Sequence, residues 1–199
     1  MNTIKENSKA AFNQQAATYD KDIKGQHARS LYPVLLKKLF HIPFRSALDL
    51  GCGTGEMLKL IFQKDADKAL YGIDLSEKML SVAKSKLPDQ VKLLLGDSES
   101  LPFPDNTFDV VFCNDSFHHY PAPMNVLREV HRVLKNGGLF LICCEASDPS
   151  DETWTSRIDG MVVHSAQDLE SCLARCGFSN ITTHRRNKEN ICVIAQKIQ

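Results

Sequence analysis

The sequence predicts a single α/β domain built on a doubly wound, mostly parallel sheet. From residue 46 onward, short apolar runs alternate with amphipathic helix patterns, which is typical of β-α-β units. Polar residues follow each apolar run, and in such sheets ligands bind at the carboxyl ends of the strands. A length of 199 residues is enough for one substantial core and too short for two comfortable domains.

The first five predicted strands end in the polar groups that matter for function. They cover residues 46–50, 69–74, 91–95, 108–113 and 139–144. Ser76 is a suitable N-cap for the helix after the second strand. Asn136-Gly137-Gly138 is expected to end the helix that precedes the fifth strand.

The two ends of the chain carry weaker patterns. We expect the first dozen residues, which are polar, to be mobile. Pro33 is expected to begin a helix over residues 34–40, since proline fits the first turn of a helix.

The C-terminal part begins with a polar connection that holds the single tryptophan, Trp154. Ser165 with Asp168 forms a weak capping-box signal for the helix that follows. Two strands at 180–186 and 191–196 then predict a hairpin.

Composition excludes several classes of protein. The chain has 24 basic and 24 acidic residues, which argues against a general electrostatic grip on nucleic acid or on an anionic membrane. No apolar run has the length of a membrane span, and residues 1–9 do not resemble a secretion signal. The seven cysteines lack a Cys-x-x-Cys pair and mostly lie in apolar patterns, so we expect buried thiols in a reducing cytoplasm and no metal site.

A glycine-rich turn is the most informative motif. Gly51, Gly53 and Gly55 directly follow the first strand, and a turn without side chains lets a ligand lie against its backbone. Asp74 ends the second strand, where an acid accepts hydrogen bonds from a ribose. Dinucleotide sites need a glycine where this chain has Glu56, whose carboxylate repels a phosphate. The motif therefore favours a nucleoside without phosphates.

With these ordered motifs, residues 12–142 resemble the class I S-adenosylmethionine-dependent methyltransferases. The resemblance is closest to the methyltransferase type 11 group, which includes quinone-biosynthesis C-methyltransferases. It implies a Rossmann-like sheet of seven strands in the order 3-2-1-4-5-7-6, with strand 7 antiparallel. We divide the single domain into an N-terminal helical lid (1–42), a cofactor-binding core (43–144) and a substrate-side connection with helix and hairpin (145–199).

The resemblance also implies which residues bind S-adenosylmethionine and its product S-adenosylhomocysteine. Asp74 would take the ribose hydroxyls, Asp97 the adenine amine, and the backbone carbonyl of Asn114 the ammonium group. The full predicted set is Tyr19, Asp49, Gly51, Cys52, Gly53, Gly55, Asp74, Leu75, Met79, Asp97, Ser98 and Asn114.

The loop after the fourth strand, residues 114–120, would face the transferable methyl group. Methyl transfer is an in-line displacement, and it needs a general base only when the acceptor must lose a proton. His119 and His118 are candidate bases, and Asp115 is an alternative base or binding group. The competing interpretation is that one histidine only packs beneath the loop and shapes it.

We therefore predict a cytoplasmic methyltransferase that acts on a small molecule, binds no nucleic acid and needs no metal. The acceptor atom, whether carbon, oxygen or nitrogen, stays open. The short connection after the fifth strand suggests a more open site or one completed by a second subunit in a homodimer. The main alternative is a non-catalytic module that binds S-adenosylmethionine or S-adenosylhomocysteine. A nicotinamide oxidoreductase is disfavoured by Glu56.

Overall fold

The structure, a computed structural model, describes residues 3–145, 164–185 and 190–198. Seven strands form one sheet in the order β3-β2-β1-β4-β5-β7-β6, which confirms the predicted fold class and strand order. The strands are β1 (Ser46–Leu50), β2 (Ala69–Asp74), β3 (Lys92–Leu95), β4 (Phe108–Asn114), β5 (Leu134–Glu145), β6 (Phe178–Arg185) and β7 (Asn190–Lys197). Neighbours among β1 to β5 pair in parallel, and β7 pairs antiparallel with both β5 and β6.

Helices cover both faces of the sheet. They are α1 (Thr3–Gln15), α2 (Ile23–Leu39), α3 (Glu56–Lys64), α4 (Glu77–Lys86), α5 (Pro123–Val133) and α6 (Ala166–Arg175), with a 3-10 turn at Phe117–His119. One hydrophobic cluster joins the sheet to α2, α3 and α4, and the other joins it to α5 and α6. The sheet is therefore the middle layer of three.

Strand β4 shows how the two clusters share the sheet. Val110 and Phe112 belong to the cluster with α2, whereas Val111 and Cys113 belong to the cluster with α5. All four are fully buried, and burial of each larger apolar side chain contributes about 1.5–3 kcal/mol. Since side chains alternate along a strand, packing on both faces fixes β4 up to its carboxyl end, where Asn114 begins the polar loop.

The N-terminal predictions were wrong in two respects. The first residues do not form a mobile segment, because α1 already begins at Thr3 and its Lys5 and Asn13 bind groups after β3 and β2. Pro33 does not begin a helix and lies inside α2. That helix begins ten residues earlier, at Ile23, where the Asp22 side chain accepts a hydrogen bond from the Gly25 backbone.

The predicted end of α5 was also wrong. The helix ends at Val133 and not at Asn136-Gly137-Gly138, because Leu134 is already extended and pairs with Phe108 of β4. Strand pairing thus ends the helix before the glycines do. Two predicted caps are confirmed: the Ser76 hydroxyl accepts from the Met79 backbone, and Ser165 with Asp168 forms a capping box.

Part of the C-terminal prediction lies outside the described residues. This applies to the polar connection from residue 146 to 160 with Trp154, and to the hairpin turn at 186–189. All seven cysteines are described, and none of them forms a disulfide. Across the described ranges, none of the helices combines the length and the apolar character needed to cross a membrane.

Candidate functional site

A cleft lies at the carboxyl ends of β1, β2 and β4, beneath α1. Its free space is about 610 Å³ when the open mouth is included. It brings together most of the residues that the sequence selected, namely Tyr19, Gly51, Gly53, Asp74, Leu75, Met79, Ser98, Asn114, Asp115 and His119. A smaller adjoining cleft adds Asp49 and Cys52. Gly55, Asp97 and His118 line neither cleft.

The three glycines of the turn serve different purposes, although all have a positive φ. A Cβ at Gly51 would lie 2.6 Å from the Ser116 hydroxyl oxygen, and one at Gly55 would collide with α4. A Cβ at Gly53 would meet no atom within 4 Å. The first and third glycines therefore allow close packing, whereas Gly53 borders open space in the cleft.

The Asp74 carboxylate is fixed across this turn. Its Oδ2 accepts from the Gly53 backbone N–H and its Oδ1 from that of Ser76, both at 2.8 Å. Burial raises the pKa of Asp74, although these backbone donors act in the opposite direction. Each carboxylate oxygen retains a further lone pair, so Asp74 can still accept from ligand hydroxyls.

Asp49 lies behind the turn and is almost completely buried. Burial and, second, the charge of Asp74 raise the pKa of Asp49 well above its ordinary value. Two carboxyl groups held this way favour a cationic ligand, because a nearby positive charge would stabilise both charged forms.

Asn114 joins the two clefts. Its Nδ2 donates to the Ala28 carbonyl at 3.1 Å, which fixes the orientation of the amide. Its Oδ1 is buried and finds no hydrogen-bond partner among the described residues. An orphaned buried acceptor costs about 1–3 kcal/mol, and a ligand ammonium would satisfy it. This side-chain oxygen thus offers a second acceptor beside the predicted backbone carbonyl.

Asp97, the predicted partner of the adenine amine, is bound by the protein itself. Lys5 Nζ of α1 donates to its Oδ2 at 2.6 Å and also reaches Glu99 at 2.7 Å. Burial alone would lower the pKa of Lys5, but the bonds to both carboxylates outweigh it and raise that pKa. The adenine role of Asp97 stays a prediction.

The two predicted histidine bases differ in position. His119 lines the cleft and packs edge-on against Phe12 at a centroid distance of 5.0 Å, whereas His118 lies beside it and outside the cleft. Burial lowers the pKa of His119 to about 4, and burial followed by the neighbouring charge of His119 lowers that of His118 to about 3. Both imidazoles are therefore neutral at pH 7 and accept protons only weakly.

Asp115 holds the most constrained position of the loop. It adopts a φ of 57°, its side chain is 9% exposed, and its Oδ2 lies 2.9 Å from Nδ1 of His27 in α2. Its other oxygen, Oδ1, is buried and has no hydrogen-bond partner in the described part of the chain.

Sequence reasoning missed three residues that contact the predicted site residues, namely Lys5, Phe12 and His27. Each comes from a helix far along the chain from the strand tips that it contacts. No spacing rule connects such residues to the sheet. Within the described ranges, no group of three histidine, cysteine or acidic side chains is placed to hold a metal ion.

Comparison with known proteins shows what this sequence is similar to. Residues 48–142 match the family model described as a methyltransferase domain. Demethylmenaquinone methyltransferase from Geobacillus stearothermophilus is 40% identical over 111 residues, which cover 53% of this chain and 47% of that protein. The chain thus spans about half the length of the curated relatives that it matches.

Solved structures show the same fold. The putative methyltransferase complexed with the Trm112 methyltransferase activator in Haloferax volcanii aligns with a TM-score of 0.79 at 20% identity, covering 94% of this chain and 98% of that one. The Burkholderia thailandensis 1,6-didemethyltoxoflavin-N1-methyltransferase, solved with S-adenosylhomocysteine, gives a TM-score of 0.74 at 17% identity, covering 98% and 88%. The matches confirm the predicted resemblance to methyltransferases, and the solved structures confirm the fold.

Proposed function

We propose, from the premise that residues 48–142 form a class I S-adenosylmethionine-dependent methyltransferase domain, that this protein methylates a small-molecule acceptor. The curated relatives are named for demethylmenaquinone, which supports an acceptor of the quinone class. When bound, the cofactor supplies a methyl group whose bond to sulfur breaks, leaving its electron pair on sulfur, as the bond to the acceptor forms.

The main support for this proposal is the acidic character of the cleft. Asp74 and Asp115 line the main cleft and Asp49 lines the adjoining one, while no lysine or arginine stands among the described lining residues. The neutral His119 adds no positive charge. Such a cleft suits a ligand with a sulfonium and an ammonium group, and it repels a pyrophosphate.

The protein's own residues fit the parts of such a ligand. The open space beside Gly53 admits a ligand against the backbone, Asp74 accepts from ribose hydroxyls, and Asn114 Oδ1 accepts from the ammonium group. Phe12 and Met79 provide apolar walls that exclude water. Alignment of the reacting atoms then accounts for most of the acceleration of methyl transfer.

Calorimetry with the purified protein tests the cofactor part. We expect S-adenosylhomocysteine to bind with micromolar affinity, or about −8 kcal/mol, and NADH not to bind. Asp74→Asn should weaken S-adenosylhomocysteine binding about 10- to 100-fold, since it replaces a charged acceptor by an amide. Binding of NADH alone, or unchanged affinity in the variant, contradicts the assignment.

Transfer of label separates an enzyme from a pure binding module. The protein is incubated with S-[methyl-³H]adenosylmethionine and chemically reduced 1,4-naphthoquinone, and the label is counted in the organic extract. We expect label above that of a protein-free control. Cofactor binding without transfer to this or any small-molecule fraction of a cell extract would favour the non-catalytic module. The predicted homodimer and cytoplasmic location stay predictions.

A further inference from the structure

Two free thiols face each other across the antiparallel pair of β5 and β7. Cys143 and Cys192 are direct register partners, and both belong to the hydrophobic cluster on the α2 side of the sheet. Cys144, the next residue, belongs to the cluster on the opposite face. The side chains of Cys143 and Cys192 therefore lie side by side on one face, and neither of them lines the two clefts at the strand tips.

The hydrogen bonds around Cys143 show which type of antiparallel pair this is. Its carbonyl accepts from the Asp115 backbone N–H at 2.7 Å, so it points toward β4. Because the N–H and C=O of one residue project to the same side of a strand, neither group of Cys143 bonds with β7.

The two cysteines thus form a narrow pair without hydrogen bonds between their own backbones. In such a pair the Cα atoms are typically about 4.5 Å apart and the side chains are close. Disulfides span Cα separations of about 4.4–6.8 Å, so a bond between the two sulfurs fits this geometry without displacing either strand.

The two thiols differ in their chemistry. The hydrogen bond between them lowers the pKa of Cys192, although burial acts in the opposite direction. The same bond, together with burial, raises the pKa of Cys143. Cys192 is therefore the better nucleophile of the pair, since the thiolate is the reactive form of cysteine.

Their position in the ladder gives a small oxidant access. Both residues are almost completely buried, but only two rungs separate them from the end of the pairing between β5 and β7. These rungs are Cys144 with Ile191 and Glu145 with Asn190. Hydrogen bonds at the end of a ladder open at a smaller free-energy cost than those in its middle. Hydrogen peroxide, which is close to water in size, therefore reaches Cys192 during such openings.

We propose that Cys143 and Cys192 are a redox-active pair that a peroxide converts into a cross-strand disulfide. The sulfur of Cys192 attacks one peroxide oxygen, the O–O bond breaks, and the departing hydroxide leaves as water with the thiol proton. The sulfur of Cys143 then attacks the resulting sulfenic acid, so that the S–S bond forms, the S–O bond breaks, and a second water leaves with the Cys143 proton. The two thiols lose two electrons, and one peroxide is reduced to two waters.

The disulfide acts on the strand that supports the cleft. Cys143 pairs with Asn114 of β4 on one side and with Cys192 of β7 on the other. The bond therefore secures the end of β5, to which the loop after β4 is held through the Asp115 N–H. It also closes the chain between residues 143 and 192 into a loop, which restricts the unfolded state and stabilises the fold.

Oxidation of the whole purified chain tests the site without any ligand, so the result does not depend on the proposed function. The reduced protein is treated with hydrogen peroxide under native conditions, the remaining thiols are blocked with N-ethylmaleimide in denaturant, and the products are analysed by mass spectrometry without reduction. We expect a chain with two hydrogens fewer and a cross-link between the peptides that hold Cys143 and Cys192. Its Tm should be higher by about 5–15 °C than that of the same sample after dithiothreitol.

Matched variants identify the two sulfurs. Cys144→Ala removes the neighbouring thiol on the opposite face, and it should keep both the cross-link and the rise in Tm. Cys143→Ala and Cys192→Ala should lose both. Each variant is compared with its own sample after dithiothreitol, so that the effect of the substitution itself on stability cancels. Cys143→Ser and Cys192→Ser replace any alanine variant that does not fold.

Other results overturn the proposal. They are a cross-link of Cys192 to a different cysteine, a wild type whose two thiols stay free or gain oxygen without a cross-link, and a cross-link that forms only in denaturant. A rise in Tm that persists in Cys192→Ala would assign the stabilisation to another site. A Tm that stays constant or falls on cross-linking would mean that the bond displaces the strands, which contradicts the narrow-pair geometry.

Discussion

Gly53 and Gly137 form a natural pair for testing whether the glycine turn is a ligand surface. Both have a positive φ, 52° and 82°, and an added Cβ would meet no atom within 4 Å at either position. They differ in location, since Gly53 lines the cleft and Gly137 lies at an exposed position of β5. Alanine at each site therefore places a side chain at a positive φ, but only one methyl group enters the cleft.

The structure sets the size of each effect. A left-handed alanine costs about 1–2 kcal/mol at either site. For a chain of this size, that lowers Tm by about 2–8 °C. In Gly53→Ala the methyl group additionally overpacks the bound cofactor by about 1–3 kcal/mol. This weakens cofactor binding about 5- to 150-fold.

Thermal unfolding and calorimetry with S-adenosylhomocysteine measure the two quantities separately. We expect similar Tm losses in both variants and an affinity loss in Gly53→Ala alone. Wild-type affinity in Gly53→Ala would mean that no ligand lies against this backbone, and the assignment of the cleft would be wrong. An equal affinity loss in Gly137→Ala would attribute the effect to general destabilisation.

Three further predictions follow from buried charges. Binding of the cationic cofactor should release protons and weaken as the pH falls, because the pKa values of Asp49 and Asp74 are raised and the ligand favours their charged forms. Calorimetry in two buffers of different ionisation enthalpy measures the proton release, and no buffer dependence would contradict it. Lys5→Met should speed amide exchange over α1, and unchanged exchange would show that the ion pairs with Asp97 and Glu99 do not dock this helix. Burial opposes ionisation of Asp109, but its bonds to Lys135 and to the start of β1 lower its pKa. The ionised carboxylate therefore contributes to the free energy of unfolding above its ordinary pKa, and this contribution is lost as the pH falls below it. Asp109→Asn should cost about 2 kcal/mol in urea unfolding at pH 7 and progressively less toward pH 3, and a difference that stays constant with pH would refute this.

The site residues at the carboxyl ends of the strands could be predicted because each strand is marked by a local sequence pattern. Each predicted strand of the core is a short apolar run, and pairing in a parallel sheet brings the carboxyl ends to one edge whatever the details of packing. Gly53, Asp74 and Asn114 therefore meet in the cleft as expected. Met79, whose spacing fits a core residue equally well, is both buried and in the cleft wall.

The remaining features depend on contacts between distant parts of the chain. The polar sequence of α1 gives no strong amphipathic pattern, and its docking comes from ion pairs such as that of Lys5 with Asp97. Likewise α5 ends at Val133 because Leu134 pairs with β4, a tertiary effect that overrides the glycine signal. His27 has no sequence feature that links it to Asp115, 88 residues away.

The site divides hydrogen-bond acceptors and donors between two parts of the chain. The strand tips supply acceptors, and among the described residues Oδ1 of Asn114 and of Asp115 has no hydrogen-bond partner. Helices α1 and α2 supply groups that contact the acids: Lys5 contacts Asp97, and His27 contacts Asp115. The N-terminal helices therefore do more than cover the cleft. Lys5 pairs with Asp97 and Glu99, and His27 contacts Asp115, so these helices also set the charge and orientation of acids after β3 and β4. If the cleft prefers a cation as proposed, that preference should depend on the contacts of α1 and α2 with these carboxylates as well as on the sheet.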